Sequence, residues 1–308
     1  MSYIACFDIG GTFIKYGVFN PKGKLLVKSK IATPKSHEIP DVLNNKVKSL
    51  QQDFHLTAIG ISSCGLVDPE KGMILFSNNI LGYSGMKLGE LLFSLTQLPV
   101  SVENDVKSAC LGEIWKGSIK DKRNAFFLTL GTGIGSSIVM DRKIVSGSSR
   151  FAGELGHTVI VVGGKPCSCG RKGCLEQYAS TSALVQDYKV EAQQKGVAVK
   201  NVSGETIMDL VKQGEPVALA VYERFIHYIS VGLTNVIHLL NPEKIIIGGG
   251  ITEGDGPIIQ DINLQLKNEV MDIYEKEDIV IASSLGNDAG LYGACYLALN
   301  RMNIKETV

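Results

Sequence analysis

Two stretches, Asp8-Ile9-Gly10-Gly11-Thr12 and Leu130-Gly131-Thr132-Gly133-Ile134-Gly135, decide how this chain is read. The first ends an apolar run at residues 3–7 and is followed by a second run at 13–19, the turn Asn20-Pro21-Lys22-Gly23 and a third strand-like run at 24–31. The second ends the run 125–130 and is followed by 136–140, the turn Asp141-Arg142-Lys143 and Ile144-Val145. Strand, Gly/Thr turn, strand, polar turn, strand therefore occurs twice, a weak repeat by residue identity and a clear one by order of elements. A turn of this kind exposes backbone N–H groups to a phosphate, and the threonine hydroxyl adds a donor. Either turn alone also reads as an ordinary Gly-containing hairpin. Two domains of like topology, each offering one, would grip a nucleotide's phosphates from both sides. Neither turn fits the P-loop pattern or a full Gly-x-Gly-x-x-Gly opening a helix, which disfavours the Walker and Rossmann readings.

Outward from these turns the chain reads as α/β. Residues 42–54 have helical spacing, and 57–62 form a strand leading into the small-residue loop Ser63-Cys64-Gly65-Leu66-Val67-Asp68-Pro69. Asn78-Asn79-Ile80-Leu81-Gly82-Tyr83 reads as a polar loop with one aromatic residue. A strand at 100–102 closes on Glu103-Asn104-Asp105, with a helix over 106–115. Asp105 is the best general-base candidate, because α/β sheets place their chemistry at strand C-termini; a plain helix N-cap is the competing reading. Residues 181–212 read as helical and polar, broken near Gly196 and Gly204. Pro216 begins a long helix, supported by the apolar spacing of Val217, Val221, Phe225, Ile229, Leu233 and Ile237 and stopped by Asn241-Pro242. The strand 245–247 runs into Gly248-Gly249-Gly250, where a flat ring such as adenine would lie against bare backbone. A strand at 279–282 and a helix opening at Asn287-Asp288 and running to about Leu299 end the pattern.

Cys167-Ser-Cys169-Gly-Arg-Lys-Gly-Cys174-Leu-Glu176 concentrates three of the seven cysteines, with His157 ten residues ahead. Three thiolates and one imidazole form a closed tetrahedral Zn²⁺ set, which shapes a loop instead of activating water. Paired or free thiols are the bland alternative. The start of the chain lacks a basic segment followed by an apolar one, so a cytoplasmic protein with reduced thiols is expected. The zinc loop would tie Glu154 and Glu176 into one neighbourhood. Cys6, Cys64, Cys110 and Cys295 read as packed core residues.

A length of 308 residues makes two domains the default, and 44% hydrophobic content is ample for sizeable cores. Thirty-one basic and 31 acidic residues balance to zero, which argues against nucleic acid as a partner. No apolar run reaches the roughly 18 residues of a membrane span.

In their order these motifs resemble the ROK family of bacterial sugar kinases, within the actin/hexokinase/Hsp70 ATPase superfamily. The likeness covers nearly the whole chain. Asp8 to Thr12 with Lys15 resembles the family's first phosphate motif, residues 130–135 the second, and 247–250 the adenosine motif. Gly153-Glu154-Leu155-Gly156-His157 followed by the cysteine run resembles its zinc signature. The resemblance implies a two-domain ribonuclease H-like (actin-like ATPase) fold with an interdomain cleft. Residues 1–117 and 288–308 would form one domain and 118–287 the other, the closing helix packing back on the first. It implies Asp105 as catalytic base, and Asn104, Glu154, His157 and Glu176 as sugar-hydroxyl ligands, with Gly65 and Asn79 at the pocket's edge. Asp8, Gly10, Gly11, Thr12, Lys15, Thr132, Gly133, Gly249 and Gly250 would serve ATP, Asp8 also holding Mg²⁺ through water. His157, Cys167, Cys169 and Cys174 would hold structural zinc. A homodimer is implied as well. Some members are repressors with an N-terminal winged helix, for which the seven residues before Asp8 leave no room. A silent sugar sensor and an actin-like filament are the competing classes. Where ROK glucokinases often show Asn-Leu-Pro-Gly-Trp, this chain has Asn79-Ile80-Leu81-Gly82-Tyr83. That departure, with the general look of the chain, leans the expected substrate to cellobiose-like β-glucosides, with glucose second.

Overall fold

Gly10 donates its N–H to the carbonyl of Phe13, and Gly131 to that of Gly133, so each Gly/Thr segment closes as a tight hairpin turn. The structure, a computed structural model, describes residues 2–197, 201–252, 256–274 and 278–306, with side chains as far as Met302. Two compact units are present, one of residues 1–120 with 287–308 and one of residues 121–286.

In the first unit β1 (Tyr3–Ile9), β2 (Phe13–Phe19) and β3 (Leu25–Ala32) form an antiparallel meander. α1 (Ile39–Leu50) follows, then β4 (Leu56–Ser63), the small hairpin β5 (Leu66–Asp68) and β6 (Met73–Phe76), α2 (Leu88–Thr96), β7 (Val100–Asn104) and α3 (Asp105–Trp115). The sheet order is β3-β2-β1-β4-β7, with β4 parallel to both β1 and β7. The second unit repeats this plan. β8 (Ala125–Leu130), β9 (Ile134–Met140) and β10 (Lys143–Ile144) form the meander. After α4 (Glu176–Ala179), α5 (Thr181–Gln194), α6 (Gly204–Lys212) and α7 (Pro216–Leu240) come β11 (Lys244–Gly248), α8 (Ile258–Glu269) and β12 (Val280–Ala282). The order β10-β9-β8-β11-β12, with the last pairs parallel, matches the first sheet strand for strand. α9 (Ala289–Glu306) belongs to the first unit.

Local chemistry explains most boundaries. Pro216 sits in the first turn of α7, Glu215 accepts the Ala218 N–H, and Asn241 ends the helix in the left-handed region at φ 42°. The apolar stripe of α7 forms the centre of the second unit's core, with Phe225, Ile229 and Leu233 buried against Ile245 and Ile247. α9 joins Ile4, Cys6, Phe19 and Ala58 through Leu291, Ala294, Cys295 and Ala298. The fit there is close enough to demand glycine: a β-carbon on Gly60 would lie 2.0 Å from the Ala294 carbonyl oxygen, and one on Gly293 1.7 Å from that of Ser108.

The structure departs from the sequence reading at several points. α1 begins at Ile39, not 42, because Pro40 occupies its first turn. α9 runs past Leu299 because Met302 packs on the core and Arg301 donates to the Val100 carbonyl at 2.6 Å. α2 was not anticipated: Leu91, Phe93 and Leu95 are exposed while Leu88 and Leu92 are buried, so its apolar residues ring the helix and hide its period. α8 and the β5–β6 hairpin were missed too. No helix among the described residues is long and apolar enough to cross a membrane.

Candidate active site

The first unit gathers its polar residues where β1, β4 and β7 end. The register places Asp8 opposite Ser62 and Lys15, and Ser63 opposite Asn104. Ser62 Oγ donates to Asp8 Oδ1 at 2.7 Å, and Lys15 Nζ lies 3.3 Å from Asp8 Oδ2. Lys15 also donates to the Asn287 carbonyl at 2.7 Å. Thr12 stands exposed at the turn's tip. Asn79 lies over Gly11, so close that a β-carbon there would sit 3.1 Å from the Asn79 carbonyl oxygen.

Asn104, not Asp105, caps α3: its Oδ1 accepts the Lys107 N–H at 3.1 Å. The plain N-cap reading of Asp105 is thereby removed. Asn104 Nδ2 donates to the Gly65 carbonyl and to Asp105 Oδ1, each at 2.8 Å. Asp105 Oδ1 also accepts the Val106 N–H at 2.9 Å, so one oxygen takes both of these bonds. Burial first, and the negative charge of Asp8 second, push the Asp105 carboxyl up to about 7. A carboxylate poised near neutrality is suited to accept a proton from a hydroxyl.

The second unit builds two features around its Gly/Thr turn. Thr181 donates its N–H to the Gly131 carbonyl at 2.9 Å, and Glu176 Oε2 accepts the Ile134 N–H at 3.0 Å. α4 and the start of α5 thus hold the turn from outside, and a β-carbon on Gly133 would lie 2.4 Å from Glu176 Oε2. A cavity of about 530 Å³ opens beside it. Gly131, Thr132, Gln186, Lys189, Gly204 and Gly250 are among its lining residues. The N-terminal ends of α5 and α6 face this space, a favourable setting for negative charge. Gly249, at φ +111°, brings the end of β11 against β8; a β-carbon there would be 2.1 Å from the Leu130 carbonyl oxygen. Around Gly250 the space for a β-carbon is open.

The second feature is the cysteine loop. Ser136 Oγ donates to the Gly153 carbonyl and accepts the Leu155 N–H at 3.0 Å, which fixes the backbone on both sides of the exposed Glu154. His157 follows in a short 3₁₀ turn. One ligand atom from each of His157, Cys167, Cys169 and Cys174 lies within 4.8 Å of all the others. His157 Nδ1 is 3.7 Å from Cys167 Sγ, and Cys169 Sγ is 3.6 Å from Cys174 Sγ. A tetrahedral Zn²⁺ with bonds of about 2.3 Å has edges of about 3.8 Å, so the donor set fits that ion. The Arg171 backbone N–H leads the contacts that lower the Cys169 thiol to about 6, while burial and the neighbouring thiols raise Cys174 to about 12. Gln177 Nε2 donates toward Cys167 Sγ at 3.6 Å, the outer-shell contact a thiolate ligand attracts.

The model of the ROK family matches residues 4–301. The chain belongs to the ROK family. Among its relatives, a glucokinase of Halalkalibacterium halodurans is 32% identical over 317 aligned positions, covering 97% of this chain and 96% of its own. A β-glucoside kinase of Klebsiella pneumoniae is 33% identical over 294 positions, covering 95% of both. A crystal structure of a ROK family glucokinase from Streptomyces griseus, in complex with glucose and AMPPNP, superposes with a TM-score of 0.84 at 31% identity, covering 97% of this chain and 99% of the other. The architecture is the actin-like ATPase fold of these ROK sugar kinases.

Within this ROK chain the sequence reading missed several residues. Ser62, fully buried and bonded to Asp8, was taken only as the end of a strand. Gln186, Lys189 and Glu205, which line the second unit's cavity, lie on helices whose polar faces look like ordinary solvated surface. Tyr83, read as part of a polar loop, is completely buried. Two adjacent serines closing an apolar strand were the one signal available for Ser62.

Proposed function

We propose that this chain, an ATP-dependent carbohydrate kinase of the ROK family, transfers the terminal phosphoryl group of ATP to the 6-hydroxyl of a glucose unit in a cellobiose-like β-glucoside. The observation that carries the reading is Asp105, raised to about 7 by burial and by Asp8, its Oδ1 held by Asn104 and Val106. As the bond from the sugar oxygen to phosphorus forms, the hydroxyl proton passes to the Asp105 carboxylate. The bond from phosphorus to the bridging oxygen breaks, and ADP leaves. Phosphoryl transfer otherwise requires positioning and neutralisation of charge, which Mg²⁺ brought with ATP supplies. Asp8, with Lys15 beside it, would hold that ion.

Gly10, Gly11, Thr12, Thr132 and Gly133 offer their turns to the phosphates, and the second unit's cavity with Gly249 and Gly250 takes the nucleoside. Glu154, Glu176, His157 and Asn104 meet sugar hydroxyls, for which carboxylates are natural acceptors. His157, Cys167, Cys169 and Cys174 would hold zinc with all four ligands from the protein, so the ion would shape the loop and not activate water. Leu81, 96% exposed on the loop that departs from the glucokinase pattern, supports the β-glucoside reading, because it offers apolar surface to a second sugar ring. Leu239 and Ile273, 82% and 83% exposed, support a homodimer.

The test is ADP release from Mg-ATP with glucose, cellobiose, gentiobiose, fructose and N-acetylated hexosamines. Preference for cellobiose or gentiobiose is expected. Preference for glucose makes the protein a glucokinase, and absence of turnover with every sugar moves a sugar sensor to first place.

A further inference from the structure

Tyr83 is fully buried, and its hydroxyl lies 3.0 Å from Ser63 Oγ, which is also fully buried. Ser63 Oγ donates to the Cys64 carbonyl at 3.2 Å, so the shared proton between the two hydroxyls comes from Tyr83. Burial pushes the phenol upward, which keeps it a donor at any working pH. The turn that Ser63 opens is tied on both sides. Cys64 donates its N–H to the Ile9 carbonyl at 2.9 Å, at the end of β1. The Gly65 carbonyl receives Asn104 Nδ2, the same nitrogen that holds Asp105. A polar chain therefore runs from Tyr83 through Ser63 and the 63–65 turn to Asn104 and Asp105.

Tyr83 also closes the loop that carries Asn79. Its N–H bonds the Ile80 carbonyl at 3.3 Å, and Ser77 at the loop's start donates its N–H to Ser84 Oγ at 3.0 Å. The 63–65 turn presses on that start as well, since a β-carbon on Gly65 would lie 2.5 Å from the Phe76 carbonyl oxygen. The buried Tyr83–Ser63 bond, beside a side-chain hydrogen bond between Cys64 and Ser77, ties loop and turn into one frame.

We propose that Tyr83 is a positioning residue for the sugar side of the reaction, its bond to Ser63 setting Asn79 and the Asn104–Asp105 pair in a single geometry. This rests on the kinase reading above. Tyr83→Phe removes one hydroxyl and keeps the ring. The KM for sugar is expected to rise about five- to tenfold, the scale of one buried hydrogen bond, with the KM for ATP within about twofold of wild type. Ser63→Ala breaks the same bond from the other side and serves if Tyr83→Phe does not fold. The double variant should raise the sugar KM by less than the product of the two single effects, because both remove the shared Tyr83–Ser63 bond while Ser63→Ala also loses the bond to the Cys64 carbonyl. A merely structural role lowers the unfolding temperature and leaves the sugar KM unchanged, and that result with an active wild type overturns the proposal alone. Effects that multiply in the double variant overturn it too. Wild-type protein inactive on every sugar overturns the kinase reading and this proposal with it.

Discussion

Replacing Asp105 by asparagine should remove activity and raise stability at once. The native state holds the Asp105 carboxyl at about 7 against an ordinary value of 3.8, a difference of about 3 pH units. At 1.36 kcal/mol per pH unit this amounts to roughly 4 kcal/mol of stability lost from the wild type once the medium is above both values. The sign follows from proton count: between about pH 4 and 7 the native state binds the proton and the unfolded state does not, so wild-type stability falls as pH rises. Asparagine does not titrate, and its side-chain oxygen still accepts from Val106 and Asn104 in the place of Oδ1. Urea unfolding of both proteins at about pH 5 and about pH 8 measures the effect. The advantage of the variant should grow by roughly 3 kcal/mol between the two, since about two pH units of the window are crossed. Turnover should fall by about a hundred- to ten-thousandfold, the usual contribution of a general base. A difference in stability that is the same at both pH values would mean that Asp105 ionises as an ordinary surface carboxylate, and would refute the account of its environment. Near-wild-type turnover would remove it from the base role.

Two further outcomes follow from the second unit. Cys174→Ser should abolish the retention of about one zinc per chain, read by elemental analysis, and lower the unfolding temperature, because a structural zinc contributes directly to folding; a wild type purified without zinc would contradict the donor-set reading. Gly249→Ala should weaken ATP binding by at least about tenfold while zinc content stays whole, since a β-carbon at φ +111° meets the Leu130 carbonyl oxygen 2.1 Å away and forces β11 from β8; calorimetric titration with ATP checks it.

How far the sequence spoke depended on distance along the chain. The paired meanders, the capped α7 and the cysteine loop are local patterns, complete within some 30 residues, and each was legible. So was Asn104-Asp105 at a strand end, although only the structure assigns capping to the first and frees the second. The bond between Ser62 and Asp8 spans 54 positions, and that between Glu176 and Ile134 spans 42. No periodicity or spacing encodes such pairs, because the sheet order and the α4–α5 turn create them. Tyr83 misled for a related reason: its loop opens on Asn78-Asn79 and turns on Gly82, and its burial comes from the strand end that its hydroxyl meets.

The glycine-lined seat for α9 has a consequence for how the molecule is made. Residues 121–286 are contiguous and hold a whole sheet with its helices, so this unit can close as soon as it clears the ribosome. The first unit leaves the ribosome earlier, and its core between Ala5 and Val102 needs nothing from α9, but on the opposite face Ile4, Cys6, Phe19 and Ala58 have no cover until Leu291, Ala294, Cys295 and Ala298 have been synthesised. The first unit can therefore be completed only after the second has been synthesised. Until α9 is made the apolar side chains around Gly60 lack their cover, and a chaperone that binds apolar segments would meet the nascent chain there.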